Sequence, residues 1–228
     1  MTKFDSVFDA ILFDAGGIFV IPDPTVLAPL LAPLGGSLEI SDHVRAHYRG
    51  MAAKSHAGSG ERNWGDYNSA YVRSVGVHDY EVAHSAQLLD RTRSAYLWRW
   101  PIAESVQALA ALFTAGVPIG VVSNASGQIE DTLRRAGVCQ MGEGPLTPVR
   151  VIIDSEIVGV AKPDPAIFDF ALVHFPTIDR SRIAYVGDSV TMDIAGARAA
   201  GLYPILLDPY DDHEHSDFAR IRSLSELI

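Results

Sequence analysis

The chain has 228 residues, of which 48% are hydrophobic and 20% charged, as in a soluble globular protein of one domain with a large insertion or of two small domains. Its formal net charge of −10 disfavours nucleic acid and anionic membranes, because both require clustered Lys and Arg. The single cysteine, Cys139, excludes an intrachain disulfide and a cysteine-rich zinc site.

The remaining bulk features indicate a cytoplasmic protein without a nucleic-acid or membrane partner. A lone cysteine fits a reducing compartment. The N-terminal residues lack the apolar centre of a signal peptide, and no apolar run is long enough to span a bilayer. The sequence leaves open whether the protein is a monomer or a homodimer.

The first part of the chain predicts one strand followed by a helical block. Residues 8–13, FDAILF, form an apolar run that leads into Asp14. Pro22 and Pro24 interrupt the chain, and the region that follows contains no convincing strand. Periodic apolar positions predict helices at 25–34, 42–57, 64–75 and 80–97.

After Pro101 the pattern alternates between helices and short apolar strands, which is typical of βαβ units in a parallel sheet. The expected fold is α/β: a three-layer, doubly wound parallel sheet of Rossmann-like topology, with an inserted all-α cap. The predicted helices are 103–115, 126–136, 164–174, 190–200 and one near 217–227, and the predicted strands are 117–123, 150–154, 182–188 and 203–207.

Polar residues follow the predicted strands at the edge where ligands bind in such sheets. They are Asp14, Ser123, Asn124, Lys162, Asp188 and Asp193. Each alone is also compatible with an ordinary turn, helix cap or solvated loop. Turns, caps and loops explain the whole set of six polar residues less well, because a parallel sheet brings the carboxyl ends of all its strands to one edge.

The chemistry of this set favours phosphoryl transfer. Clustered carboxylates without nearby His or Cys favour Mg²⁺. Lys162 would neutralise an anionic substrate, and the Ser123 hydroxyl with backbone amides could hold a phosphoryl oxygen. Asp14 would be the covalent nucleophile, while Gly16 and Gly17 let backbone N–H groups approach the transferred group.

The arrangement resembles the haloacid dehalogenase superfamily, whose members are mostly Mg²⁺-dependent phosphatases. The resemblance covers the whole chain in order: FDAGGIF, a helical insertion, VVSNAS, VIIDSEIVGVAKPDPAIF and YVGDSVTMDIAGARAAG. It implies a core domain formed by residues 1–20 and 99–228 and a small α-helical cap domain formed by residues 21–98.

The resemblance also implies roles at the site. Asp14 is the nucleophile and a Mg²⁺ ligand, Ser123 holds the phosphoryl group beside Asn124, and Lys162 neutralises charge. Asp188 ligates Mg²⁺, and Asp193 orients a metal-bound water or supports the ligands. The implied substrate is a small phosphorylated metabolite.

Gly16 departs from the family pattern, because phosphatases of the family have an aspartate there that acts as general acid and base. The Gly16 carbonyl can still bind Mg²⁺, but the carboxyl is absent. General acid–base help is worth about 10²–10⁴-fold, so slow turnover of ordinary phosphomonoesters is expected unless another group supplies the proton. His47, Lys54 and His56 are candidates for that group, although a solvated helix face is the favoured interpretation of all three.

Three alternatives remain open. One is 2-haloacid dehalogenation, against which Asp188 and Asp193 argue. Another is phosphonate C–P cleavage with Lys54 as Schiff-base former. The third is a binding protein that has lost turnover. The loop at 55–64, SHAGSGERNW, is expected to face the site.

Overall fold

A computed structural model describes residues 8–228 of the chain. Residues 1–7, which the sequence assigns to the core domain and to an N-terminus without a signal peptide, lie outside the described residues. The strands are β1 Ala10–Phe13, β2 Val20–Pro22, β3 Trp98–Pro101, β4 Ile119–Ser123, β5 Cys139–Met141, β6 Thr147–Val149, β7 Ile152–Asp154, β8 Ile183–Gly187, β9 Tyr203–Leu207 and β10 Ala219–Ile221.

The α-helices lie mostly between the strands of the main sheet, as the alternating sequence pattern predicts. They are α1 Pro24–Leu31, α2 Ile40–His56, α3 Gly65–Ser74, α4 Val82–Thr92, α5 Ala103–Thr114, α6 Ile129–Arg135, α7 Ser155–Val158, α8 Ala166–Leu172 and α9 Ala195–Ala199. A π-helical turn, Val190–Ile194, leads directly into α9.

The main sheet has six parallel strands within residues 8–228, in the order β10-β9-β8-β1-β4-β7. Side chains of β1 alternate between the two faces: Ile11 and Phe13 join one buried apolar cluster, whereas Ala10 and Leu12 join another. Apolar packing therefore covers both faces of the sheet, as a parallel sheet requires. The predicted doubly wound α/β fold is confirmed.

Helices α1 to α4 pack together above the carboxyl edge of the sheet; we call them the helical insert. Their apolar faces form a third cluster, which includes Leu27, Leu31, Met51 and Tyr71. The Asp23 side chain begins α1 by accepting a hydrogen bond from the Thr25 N–H at 2.9 Å. Within residues 8–228, no helix combines the length and apolar character needed to cross a membrane.

Some predicted elements are wrong. The helix expected near 217–227 is instead β10, which pairs with β9, followed by a 3₁₀ turn at Leu224–Leu227. Arg220 on this strand pairs with Asp208 at 2.7 Å, a long-range contact that local propensity does not contain. The sequence also did not predict the β2–β3 pair beneath the helical insert or the β5–β6 pair.

Candidate active site

The carboxyl edge of the sheet brings the predicted residues together. Asp14 directly follows β1, Ser123 ends β4 and Asp188 directly follows β8. Because β1 pairs in parallel with both β4 and β8, these three residues leave neighbouring strands at one edge. The Asp14 N–H donates to the Val186 carbonyl at 2.9 Å, which anchors the turn that carries the carboxylate.

Three carboxylates meet at this edge. Asp14, Asp188 and Asp193 each offer an oxygen within 4.8 Å of the others. Burial raises the pKa of Asp14 to about 7; Lys162 opposes this shift, whereas Asp193 and Asp188 add to it. Burial also raises the pKa of Asp188. Ionising all three carboxyl groups at once is therefore unfavourable unless a further cation offsets their mutual repulsion.

Lys162 is the resident counter-charge of the cluster. Its side chain is 1% exposed, and its Nζ lies 2.9 Å from Asp14 Oδ1 and 2.7 Å from Asp193 Oδ1. Nζ also donates to the Tyr185 hydroxyl at 2.7 Å. Burial alone would lower the pKa of the lysine, but Asp14 and Asp193 hold that pKa above its ordinary value. Lys162 thus remains a cation beside Asp14.

The donor set fits Mg²⁺. Asp14 Oδ1 is buried, and within residues 8–228 its polar contact is the ion pair with Lys162 Nζ at 2.9 Å. Clustered carboxylate oxygens such as those of Asp14 and Asp188 are the donors that hard cations prefer. Asp193 is different: its Oδ1 accepts from Lys162, and its Oδ2 accepts from the N–H groups of Asp188 and Ser189. Its contacts suit support of the cluster rather than direct ligation.

Ser123 and Asn124 are adjacent but have different roles: Ser123 faces the cavity, whereas Asn124 binds the Lys162 backbone. The Ser123 hydroxyl lines the cavity and has no hydrogen bond to another residue in the described part of the chain, so it is available to a ligand. Asn124 instead holds the Lys162 backbone: its Oδ1 accepts from the Lys162 N–H at 2.7 Å and its Nδ2 donates to the Lys162 carbonyl at 3.0 Å. These two bonds fix where the lysine side chain begins.

The two glycines after Asp14 have separate structural reasons. Gly17 has a positive φ of 68°, and a Cβ there would lie 1.8 Å from Asp188 Oδ2, so no larger residue fits. Its N–H donates to the Val20 carbonyl at 2.9 Å and is occupied within the turn. At Gly16 a Cβ would lie 3.1 Å from the Trp98 ring, which fills the space that a side chain would use.

The prediction of a solvated helix face is wrong for His47 and Lys54. Both are buried on the face of α2 that covers the site, with exposures of 0% and 1%. His47 Nε2 lies 3.1 Å from Asp188 Oδ2, and its Nδ1 lies 3.0 Å from the Tyr67 hydroxyl. His56 is exposed as expected and faces His213 outside the cavity. A residue of the helical insert therefore contacts a carboxylate of the cluster directly.

A cavity of about 320 Å³ lies between the strand ends and the helical insert. Asp14, Gly16, Ser123, Lys162 and Asp188 line its floor. The prediction that the loop at 55–64 faces the site is confirmed, because Glu61 and Trp64 line the same cavity. Arg93 and Trp98 also line the cavity, and the sequence did not predict this. For His47 and Lys54 the sequence did carry a signal, because their seven-residue spacing places them on one face of a helix.

Comparisons with known proteins agree with this geometry. A family model described as haloacid dehalogenase-like hydrolase matches residues 8–201.

The chain belongs to the haloacid dehalogenase-like hydrolase family. It is 33% identical over 146 residues to haloacid dehalogenase-like hydrolase domain-containing protein 3 of Bos taurus, covering 63% of this chain and 55% of that protein. It is 31% identical over 128 residues to pyrimidine 5'-nucleotidase YjjG of Escherichia coli, covering 56% of this chain and 53% of that protein. The matches thus span about half the length of these relatives.

A solved structure shares the fold over nearly the whole chain. A haloacid dehalogenase family phosphatase from Thermococcus onnurineus superimposes with a TM-score of 0.59 at 22% identity, covering 96% of each chain. The family match and the relative named as a pyrimidine 5'-nucleotidase together identify this chain as a hydrolase-type enzyme.

Proposed function

We propose that this hydrolase releases phosphate from a small phosphorylated metabolite, with Mg²⁺ as cofactor and Asp14 as covalent nucleophile. The observation that carries the proposal is the cluster of Asp14, Asp188 and Asp193 around the buried Lys162, on the floor of a closed-over cavity. The nucleotidase named among the relatives supports a phosphorylated substrate. In this proposal residues 21–98 act as a cap over a core of residues 1–20 and 99–228.

The first chemical step is attack by an Asp14 carboxylate oxygen on phosphorus. The bond between phosphorus and the ester oxygen breaks, and that oxygen leaves with the rest of the substrate and takes a proton from water. Lys162 stabilises the negative charge on Asp14 and on the transferred group, and the Ser123 hydroxyl donates to a phosphoryl oxygen. The resulting aspartyl-phosphate is then hydrolysed by water, which releases inorganic phosphate and restores the carboxylate.

Mg²⁺ would be held by Asp14, Asp188 and the Gly16 carbonyl, and it would offset the charge of the phosphoryl group. Asp193 keeps Lys162 in place and binds the N–H groups of Asp188 and Ser189, which fixes the loop after β8. The His47 contact to Asp188 further restricts that carboxylate. These residues set the positions of the ligands before substrate enters.

The direct test is phosphate release from a panel of small phosphomonoesters. We expect release in Mg²⁺, loss to background in EDTA and recovery when Mg²⁺ is restored in excess. A parallel assay offers 2-chloropropionate and measures chloride without Mg²⁺. Chloride release with no phosphate release would contradict the proposal and favour the dehalogenase alternative.

The phosphonate alternative has one supporting observation, the burial of Lys54 in the cavity. Burial lowers the pKa of this amine, as Schiff-base chemistry requires. The lysine would condense with a substrate aldehyde and release water to form a protonated imine. Asp14 would then take the phosphoryl group from carbon, and the electron pair of the C–P bond would pass into the imine to give an enamine. Borohydride with phosphonoacetaldehyde would then fix a reduced adduct on Lys54, and a lack of labelling with intact phosphatase activity would exclude this reaction.

Substitution of Gly16 tests whether turnover is limited by the absence of a general acid and base at this position. Gly16→Asp alone should change phosphatase turnover little, because the new Cβ would meet the Trp98 ring at 3.1 Å. Gly16→Asp combined with Trp98→Ala should raise turnover by about 10²-fold or more, since general acid–base help is typically worth about 10²–10⁴-fold. Steady-state phosphate release measures both variants.

Trp98→Ala alone is the control, because it opens the same space without adding a carboxyl. The explanation is wrong if Gly16→Asp alone performs as well as the double variant. It is also wrong if Trp98→Ala alone produces the whole increase.

A further inference from the structure

Two cationic side chains in the wall of the cavity, Lys54 and Arg93, have no role in the proposed phosphoryl transfer. Lys54 and Arg93 line the cavity together with Trp64. Lys54 Nζ lies 3.5 Å from the centroid of the Trp64 ring, and Arg93 Cζ lies 4.0 Å from the same ring. Both cations are therefore held against one indole in a cavity that the strand-end residues also line.

Neither cation is fully satisfied by the protein. The only hydrogen bond of Lys54 Nζ within residues 8–228 goes to the Glu61 carbonyl at 3.0 Å, although an ammonium has three donors. Arg93 donates through a terminal nitrogen to Asn68 Oδ1, while its buried Nε has no partner in the described part of the chain. Buried donors of charged groups normally find acceptors, and because Lys54 lines the cavity, its unused donors point to a ligand there.

No carboxylate of the described residues forms an ion pair with Lys54 or Arg93. The charge of Glu61, an acidic residue of the cavity wall, raises the pKa of both cations, but its carboxylate accepts a hydrogen bond from Asn124 Nδ2 at 3.0 Å. Burial lowers the pKa of both Lys54 and Arg93, as expected for cations that lack a full counter-charge. An anion bound in the cavity beside these cations would supply the remaining counter-charge.

We propose that Lys54 and Arg93 form a second-anion subsite, which binds an additional carboxylate or phosphate on the leaving group of the substrate. The inference rests on the proposed function and narrows its substrate class to phosphomonoesters that carry a second anionic group. Lys162 and the strand-end residues receive the phosphoryl group to be transferred, and the Lys54–Arg93 pair receives the second anion. Trp64 and Trp98 cover the carbon atoms between the two groups.

The test compares substrates that differ in the second anion. One pair is 3-phosphoglycerate with glycerol 3-phosphate, and the other is 1,3-propanediol bisphosphate with propyl phosphate. We expect kcat/KM to favour the doubly anionic member of at least one pair, and the pair that responds distinguishes a carboxylate from a phosphate. Lys54→Met and Arg93→Met should each reduce that preference by about 10- to 100-fold, mainly through KM, because each removes a hydrogen bond to a charged group.

Arg91→Met is the matched control, because Arg91 is exposed in the last turn of α4, two residues before Arg93, and does not line the cavity. It should leave both the preference and the basal turnover unchanged. The subsite is overturned if wild type shows no preference in either pair, or if the preference persists in Lys54→Met and Arg93→Met.

Binding separates this inference from the proposed function. Calorimetric titration of the Asp14→Asn variant with the same four compounds, in Mg²⁺, reports affinity without turnover. Tighter binding of the doubly anionic compounds that is lost when Lys54→Met is added would support the subsite even if no compound is hydrolysed. Phosphate release with equal affinities would retain the hydrolase and reject the subsite.

Discussion

Replacing Asp14 with asparagine should reduce phosphate release by a factor on the order of 10⁴ or more, as loss of the nucleophile does in other enzymes with covalent intermediates. Asparagine keeps the shape of the side chain but lacks the carboxylate that attacks phosphorus. Wild type, quenched in acid during turnover, should carry a phosphoryl group on Asp14, and the variant should not. Phosphate release and mass spectrometry of the quenched protein measure the two effects.

The stability of the Asp14→Asn variant provides an independent check. Because burial raises the folded-state pKa of Asp14 to about 7, above its unfolded value, the wild-type carboxyl lowers the unfolding free energy as pH rises from 4 to 7. Asparagine has no proton to lose. In EDTA, the melting temperature of the variant relative to wild type should therefore rise over this pH range.

Asp131→Asn is the matched control and should retain wild-type activity, because Asp131 is a partly exposed residue of α6 that pairs with the surface residues Arg134 and Arg135. Retention of more than a tenth of wild-type turnover by Asp14→Asn would rule out Asp14 as the nucleophile. Absence of the phosphoryl adduct in wild type would weaken the covalent route even if the variant is inactive.

Replacing Lys162 with methionine should abolish turnover and also destabilise the protein. The side chain is buried between Asp14 and Asp193, and its loss leaves both carboxylates without their counter-charge. Removing one member of a buried ion pair typically lowers the unfolding free energy by about 3–5 kcal/mol. Urea unfolding followed by circular dichroism in EDTA measures this loss, and phosphate release measures the activity.

A second variant separates the structural role of Lys162 from its chemical role. Adding Asp193→Asn to Lys162→Met removes one of the stranded charges and should restore part of the stability, but it should not restore turnover. If the double variant is no more stable than Lys162→Met, the ion pairs are not the source of the loss. If it recovers activity, Lys162 is not needed to neutralise charge during the reaction.

The sequence predicted the α/β fold and the composition of the site floor for one physical reason. Alternating apolar strands and helices imply a parallel sheet, and a parallel sheet brings every strand end to one edge. Asp14, Ser123 and Asp188 could therefore be placed together without coordinates. Lys162 comes eight residues after the short strand β7, and the resemblance of the segment VIIDSEIVGVAKPDPAIF to the family placed this lysine at the same edge.

Elements whose conformation depends on distant partners were predicted less well. The segment that forms β10 has the local character of a helix, and its extended form depends on pairing with β9. The β2–β3 pair joins residues about 80 positions apart, which no local pattern reveals.

Only the tertiary structure shows which side chains of the helical insert face the site. Helical periodicity indicated that His47 and Lys54 share a face, but it did not indicate whether water or the site covers that face. The fold places α2 over the strand ends, so His47 contacts Asp188 and Lys54 enters the cavity. By itself the sequence determined which groups the sheet edge presents, because alternating strands and helices imply a parallel sheet, whose strand ends share one edge whatever the strand order. The placement of Trp98 over Gly16, and of Lys54 and Arg93 on Trp64, arises from packing between segments far apart in the chain.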